Sequence, residues 1–233
     1  MNPRAPSRII FITGTGTGEG KTLLTGLLLH HLREGGCHAL AMKPFCSGGT
    51  GDVDLLGRLQ GGELSARELN PFYFPEPLAP LAAARAQGRR IRLAAVESRA
   101  RALAGRCECL LIEGSGGLLV PLGENFSAME LITALRCEVI IAARNRLGVI
   151  NHARLTLARL AEEGITRPKL ALMGTRHPDA SVASNPGILA ELAGPARVYG
   201  LEFLGFRRLS AAGVRAAARR LRRPLARLLA PIP

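Results

Sequence analysis

Short apolar runs alternate with helical segments along most of the chain. The apolar runs predict strands at 8–13, 38–42, 109–112, 138–143 and 170–173. Helical periodicity predicts helices at 21–34, about 52–60, 93–104, 149–163 and 211–230, the last with a break near Pro224. The runs at 109–112 and 138–143 are apolar at nearly every position, which is typical of strands buried on both faces of a parallel sheet.

This alternation predicts an α/β fold, a doubly wound and mostly parallel sheet with helices on both faces and right-handed crossovers. We see no repeat and no linker, so residues 1–233 are predicted to form a single domain. Two stretches give no clear element. One is rich in proline between residues 71 and 80, and the other covers residues 185–206.

Composition favours a globular, soluble chain, because 47% of its 233 residues are apolar and no apolar run approaches the roughly 20 residues of a membrane span. The first eight residues lead into a short strand without a long signal-peptide core. The five cysteines are odd in number and form no Cys-x-x-Cys pair, which favours reduced thiols. We therefore expect a cytoplasmic protein with no membrane partner.

The net charge of +13 is concentrated at the end of the chain. Residues 206–233 contain eight arginines and no acidic residue, and so contribute +8. The whole chain has 28 arginines and three lysines, which makes arginine its ordinary surface cation. No tryptophan and no interleaved aromatic residues accompany the basic end, so we favour a solvated, Arg-rich helical segment of the same domain over a nucleic-acid site.

The three lysines are Lys21, Lys43 and Lys169. Lysine is a compact point charge on a slim stem, whereas arginine is a planar fork. In a chain that uses arginine almost everywhere, lysine indicates a place where a phosphate or a small reacting anion is approached closely. Lys21 and Lys43 lie in motifs, whereas Lys169 precedes a predicted strand and is interpreted as plain surface.

A glycine-rich loop joins the first predicted strand to the first helix, with the sequence GTGTGEGKT over residues 14–22. Backbone N–H groups of such a loop converge on a phosphate, and the helix N-terminus adds partial positive charge. Five residues separate Gly14 from Gly20-Lys21 instead of the usual four, so this is a lengthened P-loop. It predicts a nucleotide-triphosphate site in a P-loop NTPase-type fold, with Lys21 at the β- and γ-phosphates and Thr22 on Mg²⁺.

Further polar residues follow the other predicted strands. They are Lys43 with Ser47, Asp52 or Asp54 shortly after, Glu113 with the glycines up to Gly117, and the segment 146–152. Each has a structural interpretation by itself, such as Asp52 capping a helix or His152 opening one. Because the carboxyl ends of parallel strands share one sheet edge, we expect them to form a single site.

These motifs together resemble the dethiobiotin synthetase family. The resemblance covers residues 9–165 and includes the lengthened loop, Lys43-Pro44 with Ser47-Gly48, Asn70-Pro71 with Glu76-Pro77, the segment 113–122 and Gly148 to Ala153. It implies an ATP- and Mg²⁺-dependent ring closure in a homodimer, without a nucleic-acid partner. The substrates would be 7,8-diaminononanoate and CO₂, which form a carbamate, then a carbamic-phosphoric anhydride, and finally dethiobiotin.

The resemblance also implies roles for individual residues. Catalysis would fall to Lys21, Lys43 and Ser47. Nucleotide contacts would come from Gly16, Thr17, Gly18, Glu19, Gly20, Lys21, Thr22, Glu113, Gly116 and Thr175, and Mg²⁺ ligands from Thr22, Asp52 and Glu113. The substrate would meet Thr15, Lys43 and Ser47, with Gly148, Val149, Ile150 and Asn151 receiving its carboxylate across the homodimer interface. Spacing to Asn70 favours Asp52 over Asp54 as the metal ligand.

The chain departs from the family pattern at several of these positions. Gly16 stands where the family has Asp, Glu19 where it has a hydrophobic residue, Leu81 where it has His, and Thr175 where it has Asn. Glu19 places an acid beside the phosphates and should weaken anion binding unless it meets Mg²⁺ or an arginine. Thr175 leaves the preference for the nucleotide base open.

Two alternatives share the P-loop. An amidoligase of the same superfamily would favour a carboxylate acceptor and a glutaminase partner, and no glutaminase module fits in 233 residues. A partition-type ATPase would use the basic end on nucleic acid. Such proteins carry an additional lysine early in the loop, and residues 14–20 contain none.

Overall fold

The computed structural model describes residues 7–193, 197–206 and 209–231. The strands within these ranges are β1 (Arg8–Gly14), β2 (Ala39–Met42), β3 (Phe45–Ser47), β4 (Phe72–Phe74), β5 (Cys109–Glu113), β6 (Pro121–Gly123), β7 (Phe126–Ser127), β8 (Glu138–Arg144), β9 (Lys169–Met173) and β10 (Arg197–Leu201). The α-helices are α1 (Lys21–Glu34), α2 (Gly51–Leu59), α3 (Ala66–Leu69), α4 (Pro80–Ala86), α5 (Leu93–Ala104), α6 (Ala128–Leu135), α7 (Val149–Glu162), α8 (Asn185–Leu192), α9 (Ala211–Arg220) and α10 (Arg222–Leu229).

Six strands form the main sheet in the order β10-β9-β8-β1-β5-β2, and every neighbouring pair is parallel. The carboxyl ends of all six strands therefore meet at one edge. Ile12 of β1 is paired with Glu113 of β5 on one side and with Ile140 of β8 on the other, which fixes the height of the strand ends around the glycine loop. The predicted doubly wound α/β fold is confirmed.

Helices cover both faces of the sheet. One layer contains α1, which packs against α9 and α10, and the other contains the packed pairs α5–α6 and α7–α8. The inner face of α1 buries Leu24, Leu27 and Leu28 completely, and each such side chain contributes about 1.5–3 kcal/mol of apolar burial. Within the described ranges, no helix combines the length and the apolar character needed to cross a membrane.

The structure adds elements that periodicity did not predict. The unassigned stretch 71–80 contains β4 and the start of α4. The unassigned stretch 185–206 contains α8 and β10. Helix α6 was also missed, although Ser127 and Glu130 form a capping box at its start that was readable in the sequence. The small parallel pair β3–β4 brings the proline-rich segment over the carboxyl end of β2.

The basic end of the chain forms two helices. Its break lies at Leu221, not at Pro224, which occupies the first turn of α10, where an N–H has no intrahelical partner to lose. Two of the eight arginines of this basic end, Arg207 and Arg208, lie outside the described residues.

Three described arginines of this segment bind elsewhere in the same chain. Arg219 pairs with Glu34 of α1 at 2.7 Å, Arg220 pairs with Glu202, and Arg215 donates to the carbonyl of Arg58. The segment therefore contacts α1, the end of α2 and the loop that follows β10.

The interpretation of Lys169 as a surface residue is wrong. Lys169 is 3% exposed, and its Nζ donates to the carbonyls of Leu228 and Ala230 at 2.7 and 2.5 Å. Arg8 donates to the intervening carbonyl of Leu229 at 2.7 Å. Two cations from the amino ends of β1 and β9 thus satisfy the carbonyls at the end of α10 and hold that helix against the sheet.

Candidate active site

The glycine loop leaves β1 at Gly14 and enters α1 at Lys21. Gly18 and Gly20 have φ angles of 76° and 91°, a left-handed conformation that glycine adopts without strain. Among the described residues, no side chain caps the start of α1, so N–H groups of its first turn stay available at the cleft. The loop therefore has the backbone geometry of an anion site.

Lys21 is 7% exposed and its Nζ donates to the carbonyl of Gly16 at 2.7 Å. The pKa of Lys21 is lowered to about 8, chiefly by burial, with the carboxylate of Glu113 opposing the shift and the nearby ammonium of Lys43 adding to it. A phosphate oxygen in place of the Gly16 carbonyl would stabilise the charged form.

Glu113 is the last residue of β5 and is 1% exposed. Its Oε1 accepts hydrogen bonds from Thr22 Oγ1 at 2.7 Å and from Lys43 Nζ at 2.5 Å. Its Oε2 is buried and has no hydrogen-bond partner among the described residues. The Glu113 carboxylate thus links the start of α1 to the end of β2 through Oε1, and its Oε2 is available to another ligand.

Lys43 lies between two carboxylates. Its Nζ is 3.1 Å from Asp52 Oδ2, in addition to the contact with Glu113. Burial by itself lowers the pKa of Lys43, but the two carboxylates outweigh burial and raise it above its ordinary value. Asp54 instead accepts a hydrogen bond from Thr50 on the exposed side of α2, so the structure places Asp52 and not Asp54 at this site.

A cleft of about 690 Å³ opens at this sheet edge. Most of the predicted site residues line it, namely Thr17, Gly18, Glu19, Gly20, Lys21, Thr22, Lys43, Ser47, Asp52, Glu113 and Gly116. The hydroxyl of Ser47 is buried and has no hydrogen-bond partner among the described residues, so it is available to a ligand. Thr15 and Gly16 lie behind the lining, where the Thr15 N–H donates to the carbonyl of Ala142.

A second cavity of about 330 Å³ adjoins the cleft. Glu19, Gly20, Leu23, Arg144 and Leu209 line both spaces. Thr175 lies in the second cavity with Phe203 and Phe206, and its hydroxyl is buried without a hydrogen-bond partner among the described residues. Sequence reasoning placed Thr175 near a nucleotide base but missed both phenylalanines, because they come from the stretch that gave no clear element.

Glu19 contacts an arginine, which is one of the two partners that we expected to offset its negative charge beside the phosphates. It is 5% exposed, and Oε1 accepts from Arg146 Nη2 at 3.2 Å while Oε2 accepts from the Arg144 N–H at 2.6 Å. The carboxylate is therefore compensated by the segment that follows β8.

The predicted carboxylate-binding residues are not part of this cleft. Gly148 precedes α7 with a φ of 91°, Val149 is buried, and Asn151 is exposed, and none of them lines either cavity of its own chain. His152 is exposed and also lies outside both cavities of its own chain.

The parallel sheet, the glycine loop and the Thr22–Glu113 pair at the strand ends define a P-loop nucleotide-binding protein. A family model described as "AAA domain" matches residues 8–205. The ATP-dependent dethiobiotin synthetase BioD of Anaeromyxobacter sp. (strain Fw109-5) is 40% identical over 192 residues, covering 80% of this chain and 86% of that relative. The chain belongs to the dethiobiotin synthetase family.

Other relatives agree with this assignment. ATP-dependent dethiobiotin synthetase BioD of Bacillus subtilis (strain 168) is 35% identical over 193 residues, covering 80% of this chain and 84% of that relative. Among solved structures, the MinC:MinD cell division complex of Aquifex aeolicus matches with a TM-score of 0.54 and 14% identity, over 92% of this chain and 96% of that chain. At that identity the structural match shows the fold alone.

Lys21 makes the site sensitive to pH. Below about pH 8 the ammonium is charged and attracts phosphate, and above it the neutral amine does not. We expect the affinity for a nucleoside triphosphate to fall as the pH rises beyond 8, approaching about tenfold per pH unit. Calorimetric titration between about pH 7 and 9.5 measures this, and Lys21→Met should bind weakly without the pH dependence. A constant wild-type affinity over that range would contradict it.

Proposed function

We propose that this chain catalyses the ATP- and Mg²⁺-dependent closure of the cyclic urea of dethiobiotin from 7,8-diaminononanoate and CO₂. Membership of the dethiobiotin synthetase family supports the choice of substrates. The observation that carries the reaction type is the pair of buried ammonium groups, Lys21 and Lys43, that line one cleft together with the Glu113 carboxylate.

The oxygen atoms at the strand ends fit a magnesium ion. Mg²⁺ prefers oxygen ligands and binds through one or two carboxylates together with substrate phosphates. Thr22 Oγ1, Asp52 and the buried, unpartnered Oε2 of Glu113 supply such oxygens. When bound, the ion would neutralise charge on the β- and γ-phosphates.

The reaction proceeds in three balanced steps. One amine of the diamine attacks CO₂ and loses a proton, which leaves a carbamate. A carbamate oxygen attacks the γ-phosphorus, and ADP leaves. The second amine attacks the carbonyl carbon of this carbamic-phosphoric anhydride and loses a proton, phosphate leaves, and the five-membered urea ring closes.

The residues of the cleft act on the anions of these steps. Lys43 keeps its charge because Glu113 and Asp52 raise its pKa, so it holds the carbamate oxygen in line with the phosphorus. Lys21 stabilises the charge that develops on the transferring phosphoryl group. Ser47, whose buried hydroxyl has no partner among the described residues, orients the substrate beside Lys43. The second cavity, with Thr175 and Phe203, is suited to the nucleotide base.

We also propose that the enzyme is a cytoplasmic homodimer. The cytoplasmic location rests on the five free cysteines. The dimer is supported by exposed leucines beside the segment Gly148–Asn151, since Leu147 is 80% exposed and Leu155 63% exposed. Because Gly148–Asn151 does not line the cleft of its own chain, a second copy is the occupant that would allow it to hold the substrate carboxylate.

The proposed reaction is tested by phosphate release. We expect the wild type to hydrolyse ATP only when the diamine and bicarbonate are both present. Asp52→Asn should lose most of this activity, whereas Asp54→Asn, a neighbouring acid on the exposed side of α2, should keep it. ATP turnover that ignores the diamine and rises with DNA would instead support a partition-type ATPase.

The shared site is tested by mixing two inactive variants. Lys43→Arg disables the cleft of its own chain, and Asn151→Asp disables the carboxylate site that this chain would offer to its partner. A mixed dimer then contains one intact site, so unfolding and refolding the two together should restore about a quarter of the wild-type activity. If each chain supplied its own Asn151, the mixture would stay inactive.

A further inference from the structure

Arg144 ends β8 at the junction of the two cavities, and no motif of the sequence singled it out. It lines the cleft that contains Lys21 and also the second cavity that contains Thr175. Its side chain is exposed, and among the described residues its guanidinium has no hydrogen-bond or ion-pair partner. It is therefore an uncompensated positive charge at the boundary of the two spaces.

The guanidinium of Arg144 lies over the glycine loop. A Cβ placed on Gly18 would be 4.0 Å from Arg144 Nη2. Gly18 lies in the loop whose N–H groups converge on the phosphates, and its φ of 76° keeps the backbone there open to a ligand. A guanidinium at this point faces the same anion as the loop, from the side of the second cavity.

Glu19 holds the backbone from which that guanidinium projects. Its Oε2 accepts from the Arg144 N–H at 2.6 Å, and its Oε1 accepts from Arg146 Nη2 at 3.2 Å. The carboxylate is buried, and its two oxygens bind the last residue of β8 and Arg146 just after it. The acid in the loop and the arginine above it are thus one connected unit.

We propose that Arg144 is a further phosphate-binding residue of the nucleotide site and that Glu19 is the positioning residue that holds it there. The ligand group is the part of the polyphosphate that lies between Lys21 and the second cavity. Arginine matches phosphate through two parallel N–H donors, so this contact adds direction as well as charge. The proposal rests on the nucleotide function proposed above, and it concerns binding, not the chemistry of ring closure.

The first test measures binding of Mg·ADP and of inorganic tripolyphosphate by calorimetry, without diamine. Arg144→Ala should weaken both ligands at least about tenfold, because a charge-assisted hydrogen bond is lost. Arg144→Lys should recover part of the loss. The matched control is Arg219→Ala, which removes the same charge beside Glu34, about 20 Å along α1 from Lys21, and should bind as the wild type does.

The two ligands separate the possible outcomes. Weaker ADP binding with unchanged tripolyphosphate binding would make Arg144 a contact for the base or ribose and overturn the proposal. Unchanged binding of both ligands would also overturn it, while leaving the proposed reaction intact. A wild type that binds neither ligand would overturn both the proposal and the nucleotide function.

The second test uses the direction in which a mutation of Glu19 changes the affinity for ADP. Were Glu19 only an acid beside the phosphates, Glu19→Leu would remove repulsion and tighten ADP binding. As a positioning residue, its loss should weaken ADP binding several-fold in the wild-type background and cause no further loss in Arg144→Ala. A thermal unfolding curve for each variant checks that the protein used in the binding measurement is folded. Tighter binding, or losses that simply add, would contradict the role assigned to Glu19.

Discussion

The buried carboxylate of Glu113 is the interaction on which this site depends. It accepts hydrogen bonds from Thr22 at the start of α1 and from Lys43 at the end of β2, and these residues come from opposite neighbours of β5. The strand order β1-β5-β2 places β5 in the middle, and the pairing of Ile12 with Glu113 sets the carboxylate at the height of the loop. Removing the Lys43 ammonium would leave the buried Glu113 carboxylate without the cation that contacts it, which is strongly destabilising.

The two lysines of the cleft differ in pKa because their surroundings differ. Both are nearly buried, and burial alone lowers the pKa of each. Lys43 has two carboxylates in contact and stays charged, whereas Lys21 contacts a backbone carbonyl and titrates near pH 8. An arriving polyphosphate would supply the negative charge that Lys21 lacks, so nucleotide binding completes the electrostatics of the site.

Local patterns in the sequence were enough for five of the six strands of the main sheet, for the loop and for the polar residues that follow β1, β2 and β5, because buried parallel strands and glycine loops have strong local signals. Asp52, and not Asp54, lines the cleft, and its role as a metal ligand stays a prediction. The features that the sequence did not predict depend on contacts between residues that are far apart in the chain. Lys169 is buried only because carbonyls about 60 residues away cover it. Phe203 reaches the second cavity through β10, a strand at the sheet edge that has little apolar periodicity of its own.

The proposed reaction requires a lysine-sized ammonium, held between Glu113 and Asp52, to act on the carbamate. The most direct measurement is the turnover of Lys43→Arg with diamine, bicarbonate and ATP, alongside its ADP affinity and thermal stability. A guanidinium keeps the charge but does not fit between the two carboxylates and the reacting oxygen. We expect a loss of about 100-fold or more in kcat, with ADP affinity retained. Wild-type turnover would instead show that Lys43 does not act in the reaction.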